Sequence, residues 1–296
     1  MAKFQLSKAR QHGERVAAEK GFVTFPVDPF AVAESEGIIV VAKPPEIKGV
    51  SGGIIFDEEV PSVFYATDIE SEGFQRFTVA HELGHYFLDG HPEEILKSSK
   101  THVSKAGFRQ GDSSIELEAD HFASGLLMPT LLVKKELTRG VIGLAGVEQL
   151  AARSQCSLTA AAIRAAECSP YPMAIVVSQG SDICYCFMSE GFKGLGKPLT
   201  FLRKGSPLPL SATRDFNSDP NNVRYGKRRT TETTLADWFD GSGQIRLDEE
   251  IVGLGSFGYT LTVFSSDALA EDPDGDEADE EANLIASYTP KFAYGR

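Results

Sequence analysis

The stretch that decides the fold is His81-Glu82-Leu83-Gly84-His85. It lies within a predicted helix over residues 73–89, where apolar side chains recur at helical spacing. Residues four apart share one helical face, with Cβ atoms about 6 Å apart, so both imidazoles can bond to one metal ion. Glu82 lies beside that face, where its carboxylate can reach a water molecule without binding the metal. The pattern therefore predicts a metal site with a carboxylate in the position of a general base.

A catalytic zinc site keeps three protein ligands and one open position, so a third ligand is needed. A second predicted helix over 114–127 carries Glu116 and, four residues on, Asp120. Glu116 would bind the metal, and Asp120 would accept the free ring N–H of a histidine ligand. Two alternatives stay open. His91 has the spacing of the third metzincin histidine, but the glycine that the metzincin pattern requires before it is absent. Glu118 points away from Glu116 around the helix, which is typical of a solvated charge. We favour Glu116.

Both helices resemble the signature helices of the ImmA/IrrE metallopeptidase family, and the resemblance covers about the first 130 residues. It rests on the segments FQRFTVAHELGHY (74–86) and ELEADHFASGLLMP (116–129), together with Val50-Ser51-Gly52. The resemblance implies a gluzincin-like zinc site with the ligands His81, His85 and Glu116. It also implies that Glu82 is the general base. Members of this family typically cleave a helix-turn-helix repressor and so switch on stress or mobile-element genes.

Four regions are expected in an α+β chain. Residues 1–130 are predicted to form a zincin-like metallopeptidase domain, and 131–169 a helix-turn-helix-like helical segment. Residues 170–266 are predicted to form a β-rich α/β C-terminal domain, a candidate sensor, and 267–296 an acidic flexible tail. The polar segment 91–113 is predicted to be a loop. The strand predicted at 62–65 is expected at the sheet edge beside the metal, where an extended peptide could pair with it.

Composition excludes several classes of protein. Acidic residues number 42 and basic residues 29, and nine of the acids lie between positions 267 and 281. Basic residues around the predicted helix-turn-helix are sparse, so we expect no strong nucleic-acid partner. No apolar run suits a membrane span, and we expect no membrane partner. The four cysteines contain no Cys-x-x-Cys pair, which favours a cytoplasmic location.

The sequence thus predicts a zinc-dependent endopeptidase that acts on a cytoplasmic regulatory protein, such as a helix-turn-helix repressor. Nitrogen and carboxylate ligands also accept Mn²⁺ or Fe²⁺. One alternative is a non-enzymatic transcriptional regulator with a structural metal site. Another is a metzincin-type protease that uses His91 as its third ligand.

Overall fold

The computed structural model describes residues 5–266 apart from positions 45, 58, 69–70, 106–113, 139–141, 197–198, 241–242 and 256–257. Helices and strands are mixed along the chain, as expected for an α+β protein. They form two compact units. Within the described ranges, one contains the chain up to Leu132 together with Ala152–Ser157, and the other contains Val133–Ala151 and the chain from Leu158 onward. The acidic tail predicted at 267–296 lies outside the described residues.

The first unit contains a four-stranded sheet with the order β1-β3-β2-β4. The strands β1 and β3 are parallel, and the other neighbours are antiparallel. The bounds of the strands are β1 (Ile39–Ala42), β2 (Val50–Ile55), β3 (Ser62–Tyr65) and β4 (Thr101–Lys105). The helices of this unit are α1 (Leu6–Glu19), α2 (Pro29–Ser35), α3 (Glu72–Phe87), α4 (His91–Leu96) and α5 (Ser114–Leu127), and α6 (Thr130–Leu137) begins there.

Helices α3 and α5 pack closely, which brings the two motif-bearing segments together. Leu83 on α3 and Phe122 on α5 are fully buried in one hydrophobic cluster. A Cβ atom at Gly84 would lie 3.0 Å from the Cα atom of Ala119, so the absence of a side chain at this position allows the close approach. This close approach holds the side chains of the two motif-bearing helices near one another.

The prediction of a loop over 91–113 is wrong for its described part, because α4 and β4 lie within it. The polar sequence of β4 concealed the strand. Its apolar residue Val103 is 42% exposed, whereas Ser104 is buried, so the usual order of apolar inside and polar outside is reversed. The inner face of this strand meets polar side chains of α3 rather than a hydrophobic core.

The expectation that the 62–65 strand forms a sheet edge is also wrong. Strand β3 has those predicted bounds, but it pairs with β1 on one side and β2 on the other. Strand β4 takes the edge position beside β2. Sheet order depends on long-range pairing, which the residues of a single strand do not specify.

The second unit is built on a five-stranded antiparallel sheet with the order β6-β5-β9-β8-β7. Its strands are β5 (Met173–Gln179), β6 (Asp182–Met188), β7 (Arg228–Thr234), β8 (Arg246–Gly253) and β9 (Tyr259–Ser265). Its helices are α7 (Leu144–Ser154), which ends in the first unit's Ala152–Ser157 segment, α8 (Leu158–Cys168), α9 (Glu190–Lys193), α10 (Ala212–Asn217), α11 (Pro220–Arg224) and α12 (Leu235–Phe239). An aromatic cluster that includes Trp238, Phe239 and Phe264 forms part of its core. None of the helices in the described ranges combines the length and apolar character that a membrane span requires.

Candidate metal centre

Helix α3 presents both histidines of the motif to one buried site. The side-chain oxygen of Ser71 caps the helix by accepting a hydrogen bond from the Phe74 backbone N–H. One turn apart in the second half of this helix, His81 and His85 are 1% and 0% exposed. Their Nε2 atoms lie 3.1 Å apart, so the helical spacing brings the two ring nitrogens to one point.

Glu116 of α5 reaches the same point. Its Oε2 atom is 3.6 Å from His81 Nε2, and its Oε1 atom is 3.2 Å from His85 Nε2. Glu116 lies in the first turn of α5, and the close packing of α3 and α5 sets these distances. The structure therefore brings together the three residues that the sequence favoured as ligands.

His102 of β4 joins this group, although no motif in the sequence indicated it as a ligand. Its Nε2 atom is 3.0 Å from Glu116 Oε1, and its ring centroid is 4.4 Å from that of His85. The ligand atoms of His81, His85, His102 and Glu116 all lie within 4.8 Å of one another. The β-branched residues Thr101 and Val103, on either side of His102, are the sequence signal that could have indicated a strand.

The donor set and its dimensions fit a metal ion. A tetrahedral zinc site with bonds of about 2.0–2.1 Å has ligand atoms about 3.4 Å apart. The four separations given above run from 3.0 to 3.6 Å. Zinc accepts imidazole nitrogens and carboxylate oxygens as ligands, and so do manganese and iron. This cluster could therefore hold a metal ion.

The protonation states of His85 and Glu116 also suit a metal. Burial lowers the pKa of His85 to about 3, so its imidazole is neutral at physiological pH. Burial alone would raise the pKa of Glu116, but its contacts with His102, His81 and His85 hold that pKa far below the usual range. Neutral imidazoles and an ionised carboxylate are the forms that bind metals.

Glu82 lies beside the cluster and is fully buried. Its Oε1 atom accepts a hydrogen bond of 2.5 Å from the Ser104 hydroxyl, and its Oε2 atom accepts none from any described residue. Burial raises the pKa of Glu82. Strand β2 passes close by at Gly52, where a Cβ atom would lie 2.3 Å from a methyl carbon of Thr78 and 3.7 Å from Glu82 Oε1. Ser104, like His102, was missed in the sequence because it lies on β4.

Further polar groups contact the Nδ1 atoms of His81 and His85, on the side of each ring away from the cluster. Asp120 Oδ1 lies 2.9 Å from His81 Nδ1. His91, which is 2% exposed, places its Nδ1 atom 3.2 Å from His85 Nδ1, and its Nε2 atom lies 3.2 Å from Glu118 Oε2. The expectation that Glu118 is a solvated charge is wrong, because its side chain is 19% exposed and contacts His91. His91 faces the opposite ring nitrogen of His85 and is not one of the four clustered residues.

The fold is mixed α+β, and its cluster of three histidines and a glutamate could hold a metal ion. Residues 33–166 match the family model of the IrrE N-terminal-like domain, Peptidase M78. Over this part of the chain, the match confirms the resemblance carried by the two helices.

One solved structure that is similar to the chain is a Mycobacterium tuberculosis transcriptional regulator. The two are 14% identical, the match covers 88% of this chain and 76% of that one, and the TM-score is 0.51. At this level of identity the similarity concerns the fold. No curated protein sequence matches the chain.

Proposed function

We propose that the protein is a zinc-dependent endopeptidase with a zincin-like, gluzincin-type N-terminal domain. In this proposal His81, His85 and Glu116 hold the metal, Glu82 is the general base, and Asp120 fixes the ring tautomer of His81. The family of residues 33–166 supports a metallopeptidase-type activity. The alternative with His91 as third ligand is disfavoured, since His91 lies behind His85.

The observation that carries this proposal is the buried Glu82 carboxylate with one oxygen that has no hydrogen-bond partner among the described residues. A buried polar atom without a partner destabilises a fold by about 1–3 kcal/mol, so it persists where it serves another purpose. Next to a group of metal-binding atoms, that purpose is to take a proton from water.

Each side chain has a separate role in peptide hydrolysis. A metal held by the cluster would supply a Lewis acid that polarises the scissile carbonyl and lowers the pKa of water. Glu82 Oε2 removes a proton from the attacking water and delivers it to the leaving amine. The Ser104 hydroxyl holds Oε1 of the same carboxylate, which keeps Oε2 as the proton-accepting atom.

The proposed substrate is a cytoplasmic regulatory protein, a helix-turn-helix repressor whose cleavage turns on stress or mobile-element genes. An extended segment of it would pair with β4, which among the described strands pairs only with β2. This pairing places the peptide beside His102 and Ser104. We propose further that residues 131–169 and 170–266 form a helix-turn-helix-like segment and a β-rich domain that select the substrate, without a nucleic-acid or membrane partner.

The test uses the purified, zinc-loaded protein with the product of an adjacent repressor gene and, separately, with casein. We expect one cut in the repressor, no cut by the Glu82→Gln variant, and little cleavage of casein. Cleavage of casein at many sites would instead indicate a general peptidase. An intact repressor after prolonged incubation would contradict the choice of substrate.

A second candidate function follows from the position of His102. Four protein ligands close a zinc site, and closed sites are structural rather than catalytic. The protein would then be a non-enzymatic regulator. The visible spectrum of the cobalt-loaded protein distinguishes the two, because added hydroxamate changes the spectrum only where a coordination position is open. We expect a change in the wild-type protein and in the His102→Ala variant. A change in that variant alone would favour the closed site.

A further inference from the structure

We infer that His91 and Glu118 form a hydrogen-bond relay that sets the tautomer and the orientation of the ligand His85. The inference rests on the proposed metal-binding role of His85. Three residues in contact carry it: His85 Nδ1 lies 3.2 Å from His91 Nδ1, and His91 Nε2 lies 3.2 Å from Glu118 Oε2. His91 is thus a positioning residue and not a metal ligand.

The direction of each hydrogen bond follows from the Glu118 carboxylate at the end of the relay. A carboxylate only accepts, so His91 must carry its proton on Nε2 and donate it to Glu118. Because a neutral imidazole has one N–H, the Nδ1 atom of His91 is then an acceptor. His85 must therefore donate from Nδ1, which leaves the lone pair of its Nε2 atom directed at the cluster. That is the tautomer that binds a metal through Nε2.

Burial makes this arrangement specific. His91 is 2% exposed and the side chain of Glu118 is 19% exposed, so water is largely excluded from the contact between the rings. Glu118 is itself held on its other oxygen, where Oε1 accepts a hydrogen bond of 3.3 Å from the backbone N–H of Gln5. Gln5 precedes α1, so the relay connects three helices, α1, α4 and α5, to the ligand on α3.

The two motif histidines are consequently supported in different ways. His81 contacts the carboxylate of Asp120 directly, at 2.9 Å. His85 reaches its carboxylate through a second imidazole. Direct support by a carboxylate increases the basicity of the ligand nitrogen, whereas support through a neutral ring fixes orientation with a smaller electronic effect. Loss of either support should weaken metal binding.

The first test measures zinc affinity by competition with a chelator, without reference to peptide hydrolysis. Groups that support ligands typically contribute 10- to 100-fold to metal affinity, so we expect a loss of about that size in His91→Ala. His91→Gln should restore part of the affinity, because the amide can accept from His85 and donate to Glu118. His12→Gln is the matched control, since His12 contacts the rings of Phe87 and Phe122, and its affinity should be unchanged.

The second test reads the tautomers directly by ¹⁵N NMR of the histidine side chains in the wild-type protein. We expect the proton of His91 on Nε2 and that of His85 on Nδ1, and mixed tautomers of His85 in His91→Ala. A His91 with its proton on Nδ1, or a zinc affinity of His91→Ala within about twofold of wild type, would overturn the relay. Either result would leave the proposed peptidase function intact. If the wild-type protein failed to bind zinc, the peptidase proposal would be refuted. The tautomers of His85 and His91 would still test the relay in that case.

Discussion

Two buried glutamates, one in each unit, show how differently the two regions employ a carboxylate. Glu249 on β8 is 1% exposed, and its Oε1 atom accepts hydrogen bonds from the backbone N–H and the hydroxyl of Thr213 at 2.8 and 2.7 Å. The hydroxyl of Thr262 donates in turn to that of Thr213. Glu82 on α3 is 0% exposed, yet only one of its oxygens accepts a hydrogen bond from a described residue.

The difference lies in the surroundings of the two carboxylates. Around Glu249, the two neutral donors of Thr213 on α10 bind Oε1, and this contact joins a helix to the sheet. Around Glu82, the neighbours are imidazoles that converge on one point, and one oxygen is left available. A buried carboxylate held by neutral donors stabilises a fold, whereas a buried carboxylate oxygen that has no hydrogen-bond partner beside clustered imidazoles retains the capacity to accept a proton.

The largest expected effect tests this contrast at the two glutamates. Glu82→Gln should lower the rate of peptide hydrolysis by at least about 100-fold, because the proton acceptor is lost while the metal ligands stay. Its zinc content should equal that of wild type. Glu249→Gln is the matched control and should retain activity. Wild-type activity in Glu82→Gln would refute the assigned role.

The second prediction concerns the ligand on α5. Glu116→Ala removes one of the proposed metal-binding side chains and should weaken zinc binding by more than about 100-fold, beyond the loss typical of supporting groups. Zinc content after gel filtration measures the effect. Glu93→Ala, in the first turn of α4 and outside the cluster, should leave the content unchanged. Full zinc occupancy in Glu116→Ala would move the site to another set of ligands.

A smaller effect is expected at the structural carboxylate. Thr213→Val removes a buried donor to Glu249 and should lower the free energy of unfolding by about 1–3 kcal/mol. Trp238 is the only tryptophan of the sequence and is buried in the second unit, so its fluorescence during urea unfolding reports on that unit. Thr230→Val, at an exposed position of β7, should change stability little. Equal stabilities would show that the Thr213 contact contributes nothing.

The smallest effect is expected from removal of the acidic tail. Truncation after Ser266 preserves β9 and the hydrogen bond from the Ser266 hydroxyl to the Arg246 carbonyl. Because nine acids without a basic residue among them disfavour a packed core, zinc content and hydrolysis should stay near wild type. Loss of soluble protein on truncation would instead show that the tail contributes to folding.

Helical periodicity by itself determined much of the site. His81, Glu82 and His85 share one helix, and Glu116 and Asp120 share another, so spacing alone indicated which side chains lie on a common face. The bounds of α5 and β3 also agree with the prediction, because apolar periodicity marks such segments. A resemblance in these same two helices identified the family.

Only the tertiary structure decided what joins the two helices. His102 and Ser104 lie on a strand whose polar residues face inward, because they meet Glu116 and Glu82 there and not a hydrophobic core. His91 and Glu118 meet across 27 positions of sequence, and their contact depends on how α4 packs beside α3. Local sequence patterns indicate which residues share one face of a helix or strand. Sheet order and contacts between helices and strands depend instead on the packing of the whole chain.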